Sequence, residues 1–190
     1  MPQKLLIRKI RTGWNMSWDK YESSYIIAYP PEYLVDSIIS WGYDNIPCDH
    51  LFIDESDPSF GRENNIHITI LGNIEETNHE KIKNAISIET KFVCPLGKIQ
   101  LFTNNSKYDV IQIEAKCDQI FQLHKSLSQS IKNVMKFPLY VPHVTIAYVK
   151  KGYGDKFLDN TYFVGQEFMI DKLVLSCNLN DQFTFKLGKT

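Results

Sequence analysis

The sequence lacks the features that mark several common classes of protein. Its 190 residues contain no apolar run near the roughly 20 residues that a membrane-spanning helix needs, and basic residues interrupt the apolar N-terminal stretch, unlike a signal peptide. The formal net charge is only −1, so a surface that holds long nucleic acid through many Lys and Arg contacts to phosphate is not expected. We therefore expect a cytoplasmic protein without membrane contact, whose ligand is small.

Cysteine is scarce, and its spacing excludes two further classes. The four cysteines form no Cys-x-x-Cys pair, so neither a zinc site nor a disulfide framework is expected. We interpret them as reduced thiols and expect no metal and no cofactor. Three of them are predicted in or near the core: Cys94, Cys117 and Cys177.

What the sequence does contain is one supersecondary unit that occurs twice. In the first copy, a strand at 23–29 precedes a helix at 30–45, and a polar loop leads into the strand "IHITILG" at 66–72. In the second copy, a strand at 107–115 precedes a helix at 117–135, and a loop leads into "PHVTIAYV". The repeat predicts an α+β fold with two lobes related by a pseudo-two-fold axis.

The remaining segments complete this single domain. A helix is predicted at 78–87 and a strand at 91–103, and the tail adds two strands at 167–178 and 182–187. We assign residues 23–190 to one two-lobed domain and residues 1–22, with Trp14 and Trp18, to an N-terminal extension. On the helix predicted at 117–135, the inward positions are predicted to be Ile120, Phe121, Leu127 and Ile131.

Each copy ends in a His-x-Thr strand, and this pattern carries the chemistry. Residues i and i+2 of a strand share a face, so His67 lies beside Thr69, and His143 beside Thr145. If the two strands meet across a cleft, one neutral imidazole can take a proton from the nucleophile while the other, protonated, supplies one to the leaving oxygen. The two hydroxyls can donate to phosphate oxygens as charge builds there. This arrangement suits cleavage of a phosphodiester without a metal, and it leaves open which histidine is the base.

The paired "HITI" and "HVTI" resemble the signature of the two-histidine phosphoesterase superfamily. The segments "WGYDNIPCDHLF", "GRENNIHITILG" and "PHVTIAYVKKG" are similar to its branch of phage anti-CBASS phosphodiesterases, which degrade cyclic nucleotides of bacterial defence. The resemblance implies a bilobal fold with antiparallel sheets lining a central cleft, metal independence, and catalysis by His67, Thr69, His143 and Thr145. It also implies that a phage-encoded protein would act in the host cytoplasm. The chain departs from that branch at Leu71, where a Tyr-Gly pair is common.

Four further residues are candidates for contacts with the substrate. Tyr140 and Phe60 precede the two motifs and are expected either to stack on bases or to anchor their loops. Glu63 is placed to orient an imidazole or touch a phosphate, and Lys150 to attract phosphate, although a solvent-exposed position is the alternative for both. Tyr148 is predicted by alternation to point away from His143 and to pack.

These observations predict a phosphodiesterase that opens cyclic di- or trinucleotide signals to linear products. The first alternative is an enzyme that processes RNA ends with 2′,3′-cyclic phosphates or 2′,5′ linkages. The second is a sponge that binds a cyclic nucleotide without cleaving it, although both intact motifs count against this. The expected partner is a small cyclic oligonucleotide, and the sequence does not indicate the oligomeric state.

Overall fold

The computed structural model of the protein describes residues 24–134, 139–177 and 181–188. The predicted N-terminal extension lies outside the described residues. These contain three α-helices, α1 Glu32–Asn45, α2 His79–Ser87 and α3 Asp118–Ser130, and eight strands. The strands are β1 Ser24–Ala28, β2 Ile68–Ile74, β3 Phe92–Phe102, β4 Tyr108–Ala115, β5 His143–Lys150, β6 Glu167–Ile170, β7 Lys172–Ser176 and β8 Gln182–Lys186.

The helices begin and bury their faces for local reasons. Helix α1 starts directly after Pro31, and its buried residues Leu34, Ile38 and Trp41 recur at helical spacing. At the start of α2 the Asn78 side chain accepts a hydrogen bond from the backbone of Lys81, which caps the first turn. None of the helices in the described ranges is long and apolar enough to span a membrane.

The eight strands form one curled antiparallel sheet, in the order β6-β3-β4-β5-β2-β1-β7-β8. The two His-x-Thr strands, β2 and β5, are the central pair. Four strands lie on each side of that junction, and each motif strand is flanked by the first strand of its own unit, β1 or β4. The predicted α+β class and the pseudo-two-fold duplication are therefore confirmed.

The helices cover only one face of the sheet. Helix α1 packs against β5, and α3 packs against β2, so each helix supports the motif strand of the other unit. This face carries Ile68, Ile70, Val144 and Ile146, which belong to the buried core. We call the opposite face, which carries the histidines and threonines of both motifs, the cleft face.

Two details of the predicted elements are wrong, and the prediction of free cysteines is confirmed. The tail segment 167–178 is not one strand, because the chain turns at Asp171 from β6 at one end of the strand order to β7 in the other half. The side chain of Phe121 is 46% exposed rather than inward, and Leu123 is the buried residue of that turn. The four cysteines are free, with Cys94 and Cys117 buried, and burial raises the pKa of the Cys94 thiol to about 12.

Candidate active site

The two motifs meet at a single point of the sheet. Ile68 of β2 pairs with Val144 of β5 in an antiparallel ladder. In such a register the flanking residues pair crosswise, so each histidine lies opposite the threonine of the other motif. The two cross-motif pairs are His67 with Thr145 and His143 with Thr69. All four side chains therefore project from the cleft face at the pseudo-two-fold junction.

Each imidazole is held by the same kind of hydrogen bond. His67 Nδ1 lies 2.5 Å from the carbonyl oxygen of Asn65, and His143 Nδ1 lies 2.7 Å from that of Val141. Because a carbonyl only accepts, each Nδ1 carries a proton and donates. This fixes the tautomer and leaves both Nε2 atoms for the ligand.

The two histidines differ in their surroundings. Burial lowers the pKa of His143, and the charge of nearby His67 lowers it further, while the hydrogen bond to Val141 opposes both effects. The ring of Phe102 contacts His143 edge-on at 5.2 Å between centroids. The ring of Tyr29 contacts His67 at 6.4 Å. His143 is therefore disposed to stay neutral near pH 7.

Neighbouring strands extend the site into two rows of side chains across the sheet. The registers, extended by one residue from the Ile68–Val144 and Ala28–Ile68 pairs, place five residues in the first row and five in the second. The first row is Gln100, Gln112, Thr145, His67 and Tyr29. The second row is Glu114, His143, Thr69, Ile27 and Val174.

Tyr148 lies on the cleft face, contrary to the alternation prediction. Thr145 pairs with Gln112, but Tyr148 pairs with Val110, so β5 has three steps where β4 has two. This β-bulge returns Tyr148 to the face of Thr145. A bulge leaves the apolar pattern of a strand intact, which is why alternation alone missed it.

Phe60 lies in a cluster of four aromatic rings near the C-terminal end of β5. Its ring centroid is 5.0 Å from that of Phe52 and 5.1 Å from those of Tyr108 and Tyr148. Because Tyr148 faces the cleft side, the cluster borders the site. Phe60 thus anchors its loop while remaining only half buried.

Tyr140 is placed differently from a base-stacking residue. Its ring stacks on His124 of α3, with centroids 3.8 Å apart and planes 7° apart. Its hydroxyl donates to the Thr69 carbonyl oxygen at 2.8 Å, and His124 Nδ1 bonds to the carbonyl of Ile70. The ring is occupied on the helix side, which favours the loop-anchor alternative. Tyr140 and His124 thereby give two β2 carbonyl oxygens hydrogen-bond partners at the point where β2 separates from β5.

Glu63 and Lys150 both bind backbone near the site. The Glu63 carboxylate accepts a hydrogen bond from the backbone N–H of Asn65 at 2.7 Å, and the Asn65 carbonyl in turn holds His67. Glu63 therefore acts on the imidazole through the turn between them. Lys150 Nζ donates to the carbonyl of Asp49 at 2.7 Å and is exposed.

A cavity of about 780 Å³ adjoins the first row at Tyr29. Among its lining residues are Val174, Thr184, Gln182 and Lys172, which the registers with β1 and β8 place on the cleft face. In the parts of the chain that the structure describes, no group of three or more His, Cys, Asp or Glu could hold a metal ion.

No family model and no curated protein matches the sequence. Several solved structures match the fold. E. coli LigT in its apo form has a TM-score of 0.60 at 13% identity, with 88% of this chain and 98% of LigT covered. TT0787 of Thermus thermophilus has a TM-score of 0.55 at 12% identity, with coverages of 86% and 94%. A structure described as a phosphoesterase has a TM-score of 0.57 at 16% identity, with coverages of 88% and 96%.

The chain has the LigT-like fold. At these identities the likeness concerns the fold, and it agrees with the fold expected for two-histidine phosphoesterases. E. coli LigT has also been solved with 3′-AMP and with phosphate.

Within the LigT-like fold, four residues beside the two motifs were not predicted from the sequence. Gln112 and Glu114 alternate on one face of β4, a signal that the sequence "KYDVIQIEA" contains. Tyr29 directly follows β1, and its role depends on the β1–β2 register. The contact of Phe102 with His143 depends on the curl of the sheet, which no local pattern encodes.

Proposed function

We propose that this protein is a phosphodiesterase whose catalytic residues are His67, Thr69, His143 and Thr145. The observation that carries the proposal is the crosswise pairing of the two motifs around the Ile68–Val144 bridge. It brings two oriented imidazoles and two hydroxyls to one place on an uncovered sheet face. The LigT-like fold supports the same interpretation.

In the proposed reaction, the half-buried His143 is the base and His67 is the acid. Neutral His143 Nε2 takes the proton of a water or ribose hydroxyl, whose oxygen attacks phosphorus. The bond from phosphorus to the leaving oxygen breaks, and protonated His67 supplies a proton to that oxygen from Nε2. Thr69 and Thr145 donate hydrogen bonds to the phosphate oxygens as their charge increases. The lowered pKa of His143 supports this division.

The proposed substrate is a small cyclic oligonucleotide, as in anti-CBASS counter-defence by a phage. Two features support a compact nucleotide ligand: the cavity of about 780 Å³ beside Tyr29 and the half-buried Phe60 cluster, whose rings border the site. Lys150 lies at the end of the second motif strand, five residues beyond Thr145, and is exposed there. The Glu63 carboxylate holds the turn whose Asn65 carbonyl orients His67.

The second candidate, processing of RNA ends with 2′,3′-cyclic or 2′,5′ linkages, is favoured by the fold. E. coli LigT, which has this fold, has been solved with 3′-AMP. A nucleotide with a phosphate on the ribose is the kind of product that opening of a 2′,3′-cyclic end gives. The two candidates share the same site and differ in the substrate.

The test is incubation of the purified protein, in EDTA, with cyclic di- and trinucleotides and with RNA bearing a 2′,3′-cyclic end, each product being read by mass. We expect turnover of cyclic nucleotides, lowered by about 10²–10⁴-fold in His67→Ala and in His143→Ala. His79→Ala is the matched control, because His79 lies on α2 and contacts Phe183.

Activity restricted to RNA ends would move the assignment to the second candidate. Tight binding without product would favour the sponge. Loss of all turnover in EDTA with recovery on added metal would contradict the mechanism.

A further inference from the structure

Glu114 is the side chain next to His143 on the floor of the cleft. The two residues lie directly opposite each other on β4 and β5, so their Cβ atoms are about 5 Å apart. Ile113 and Ala115, on either side of Glu114, are buried in the core, which directs the glutamate to the cleft face. Glu114 is only half-buried, so a ligand in the cleft can reach it.

The carboxylate of Glu114 lies over β3, where a glycine makes room for it. A Cβ atom at Gly97 would come within 3.0 Å of the Cβ and Cδ atoms of Glu114, and closer still to its Oε2. Glycine in the interior of a strand weakens it and often marks a close approach of another group. Here that group is the Glu114 side chain, whose carboxylate is held on the side of β4 away from β5.

This carboxylate has no partner within the described parts of the chain. None of the hydrogen bonds or ion pairs formed there involves it, and Lys98 of β3 pairs with Asp159 instead. In the same row, beyond the central pair of strands, the positions are taken by Ile27 and Val174, which are apolar and buried. A charge in this row is therefore not a requirement of the fold.

The ligand must supply what the protein does not. Solvent satisfies the half-buried carboxylate while the cleft is open, but a ligand that covers the floor removes this solvent, and a desolvated carboxylate without donors is strongly unfavourable. Both oxygens of an ionised carboxylate accept hydrogen bonds and neither donates. Glu114 therefore cannot bind phosphate oxygens, and it penalises any ligand that does not present donors to it.

The position of the carboxylate indicates which part of a nucleotide meets it. Adjacent strands are about 4.8 Å apart, so a group over β3 is roughly 10 Å from β5, which carries His143 and Thr145. This span is comparable to the length of a purine nucleotide from its phosphorus to the far edge of its base. Guanine presents two adjacent donors on that edge, N1–H and the N2 amino group, and a carboxylate can accept from both at once.

We propose that Glu114 is a specificity-determining residue that binds guanine, its two carboxylate oxygens accepting hydrogen bonds from N1–H and from the N2 amino group. The guanine belongs to the nucleotide whose phosphate lies at His143. The substrate class is thereby narrowed to cyclic oligonucleotides that contain guanine. The inference rests on the proposed function, since it takes His143 and Thr145 as the phosphate site.

The test is calorimetric titration of the protein with the 3′-monophosphates of guanosine, inosine and adenosine. Inosine lacks only the N2 amino group and should bind about 10-fold more weakly than guanosine, the effect of roughly one hydrogen bond to a charged group. Adenosine has an acceptor, the unprotonated ring nitrogen N1, where guanosine has N1–H. Its nucleotide should therefore bind about 100-fold more weakly than that of guanosine.

Glu114→Gln keeps the shape of the side chain and changes its hydrogen-bonding pattern. The amide of glutamine pairs with adenine through one donor and one acceptor, whereas it offers guanine a single acceptor. The variant should therefore bind the adenosine nucleotide more tightly than the guanosine nucleotide, which reverses the order of the wild type. A purely structural role of Glu114 would instead change all three affinities alike.

The matched control is Glu80→Gln on α2, where Glu80 pairs with Lys83, and it should keep the preference for guanosine. Equal binding of the guanosine and inosine nucleotides by the wild type would overturn the inference. An unchanged order in Glu114→Gln, or binding of none of the three nucleotides, would overturn it too. The proposed function is judged separately, by turnover in His67→Ala and His143→Ala, because a protein that cleaves cyclic nucleotides without preference for guanine keeps that function and contradicts only this inference.

Discussion

The hydroxyl of Tyr140 joins the second motif loop to the backbone of the first motif, and its removal tests that connection. Tyr140→Phe keeps the ring that stacks on His124 and deletes only the donor to the Thr69 carbonyl, 2.8 Å away. Burial raises the pKa of Tyr140, with a smaller contribution from Cys94. The hydroxyl therefore stays protonated and donates over the whole working range of pH.

The expected loss follows from the environment of that carbonyl. Among the described residues, the β2–β5 ladder contains the single pair Ile68–Val144, so β5 forms no ladder pair with Thr69 that could replace the donor. A buried acceptor left without a partner lowers the free energy of unfolding by about 1–3 kcal/mol. In a domain of this size that corresponds to a decrease in Tm of roughly 2–4 °C per kcal/mol. Because Thr69 is displaced, kcat should fall by about 3–10-fold.

The assay is urea unfolding together with turnover of the proposed cyclic nucleotide substrate, for Tyr140→Phe and for Tyr33→Phe. Tyr33 is 66% exposed on α1, and its substitution should leave stability unchanged. If Tyr140 instead stacks on a base, phenylalanine would preserve both stability and affinity. A Tyr140→Phe protein as stable as the wild type would therefore refute the anchoring role.

Three further predictions concern neighbouring contacts. Burial keeps the folded-state pKa of His143 below its unfolded value of about 6.5, so the unfolded state binds more protons and the free energy of unfolding falls as pH drops below about 6.5. Urea titrations at pH 7.5 and pH 5 should show a smaller fall in the free energy of unfolding for His143→Gln than for the wild type. An equal fall in both proteins would contradict this. Lys151→Met removes the ion pair to buried Asp109, 2.8 Å away, and should lower the free energy of unfolding in the same titration by about 1–3 kcal/mol. A loss below about 0.5 kcal/mol would show that the ion pair is dispensable for stability. Glu63→Ala should lower kcat more than it changes KM. Glu63→Gln should restore most of the rate, because its amide oxygen still accepts a hydrogen bond from the backbone N–H of Asn65. Equal rates in the two variants would exclude the positioning role.

The sequence predicted most of the fold because its signals are local and repeated. The His-x-Thr strands and their preceding helices follow from alternation and helical spacing, and the duplication indicated that the two units are related. The crosswise pairing of His67 with Thr145 could not be predicted, because register between distant strands depends on long-range packing. The bulge that turns Tyr148 to the cleft face, and the His124 stack that occupies Tyr140, have the same cause.

The pseudo-two-fold arrangement accounts for the geometry of the candidate site and bears on the proposed roles of its two histidines as base and acid. The scaffold gives the two histidines equivalent positions and equivalent carbonyl partners, so symmetry alone would make them chemically alike. Acid–base catalysis requires two different protonation states. The surroundings of the two imidazoles supply that difference: the ring of Phe102 lies 5.2 Å from that of His143, and the ring of Tyr29 lies 6.4 Å from that of His67, between centroids. Burial lowers the pKa of His143, which favours its neutral form and therefore its proposed role as the base.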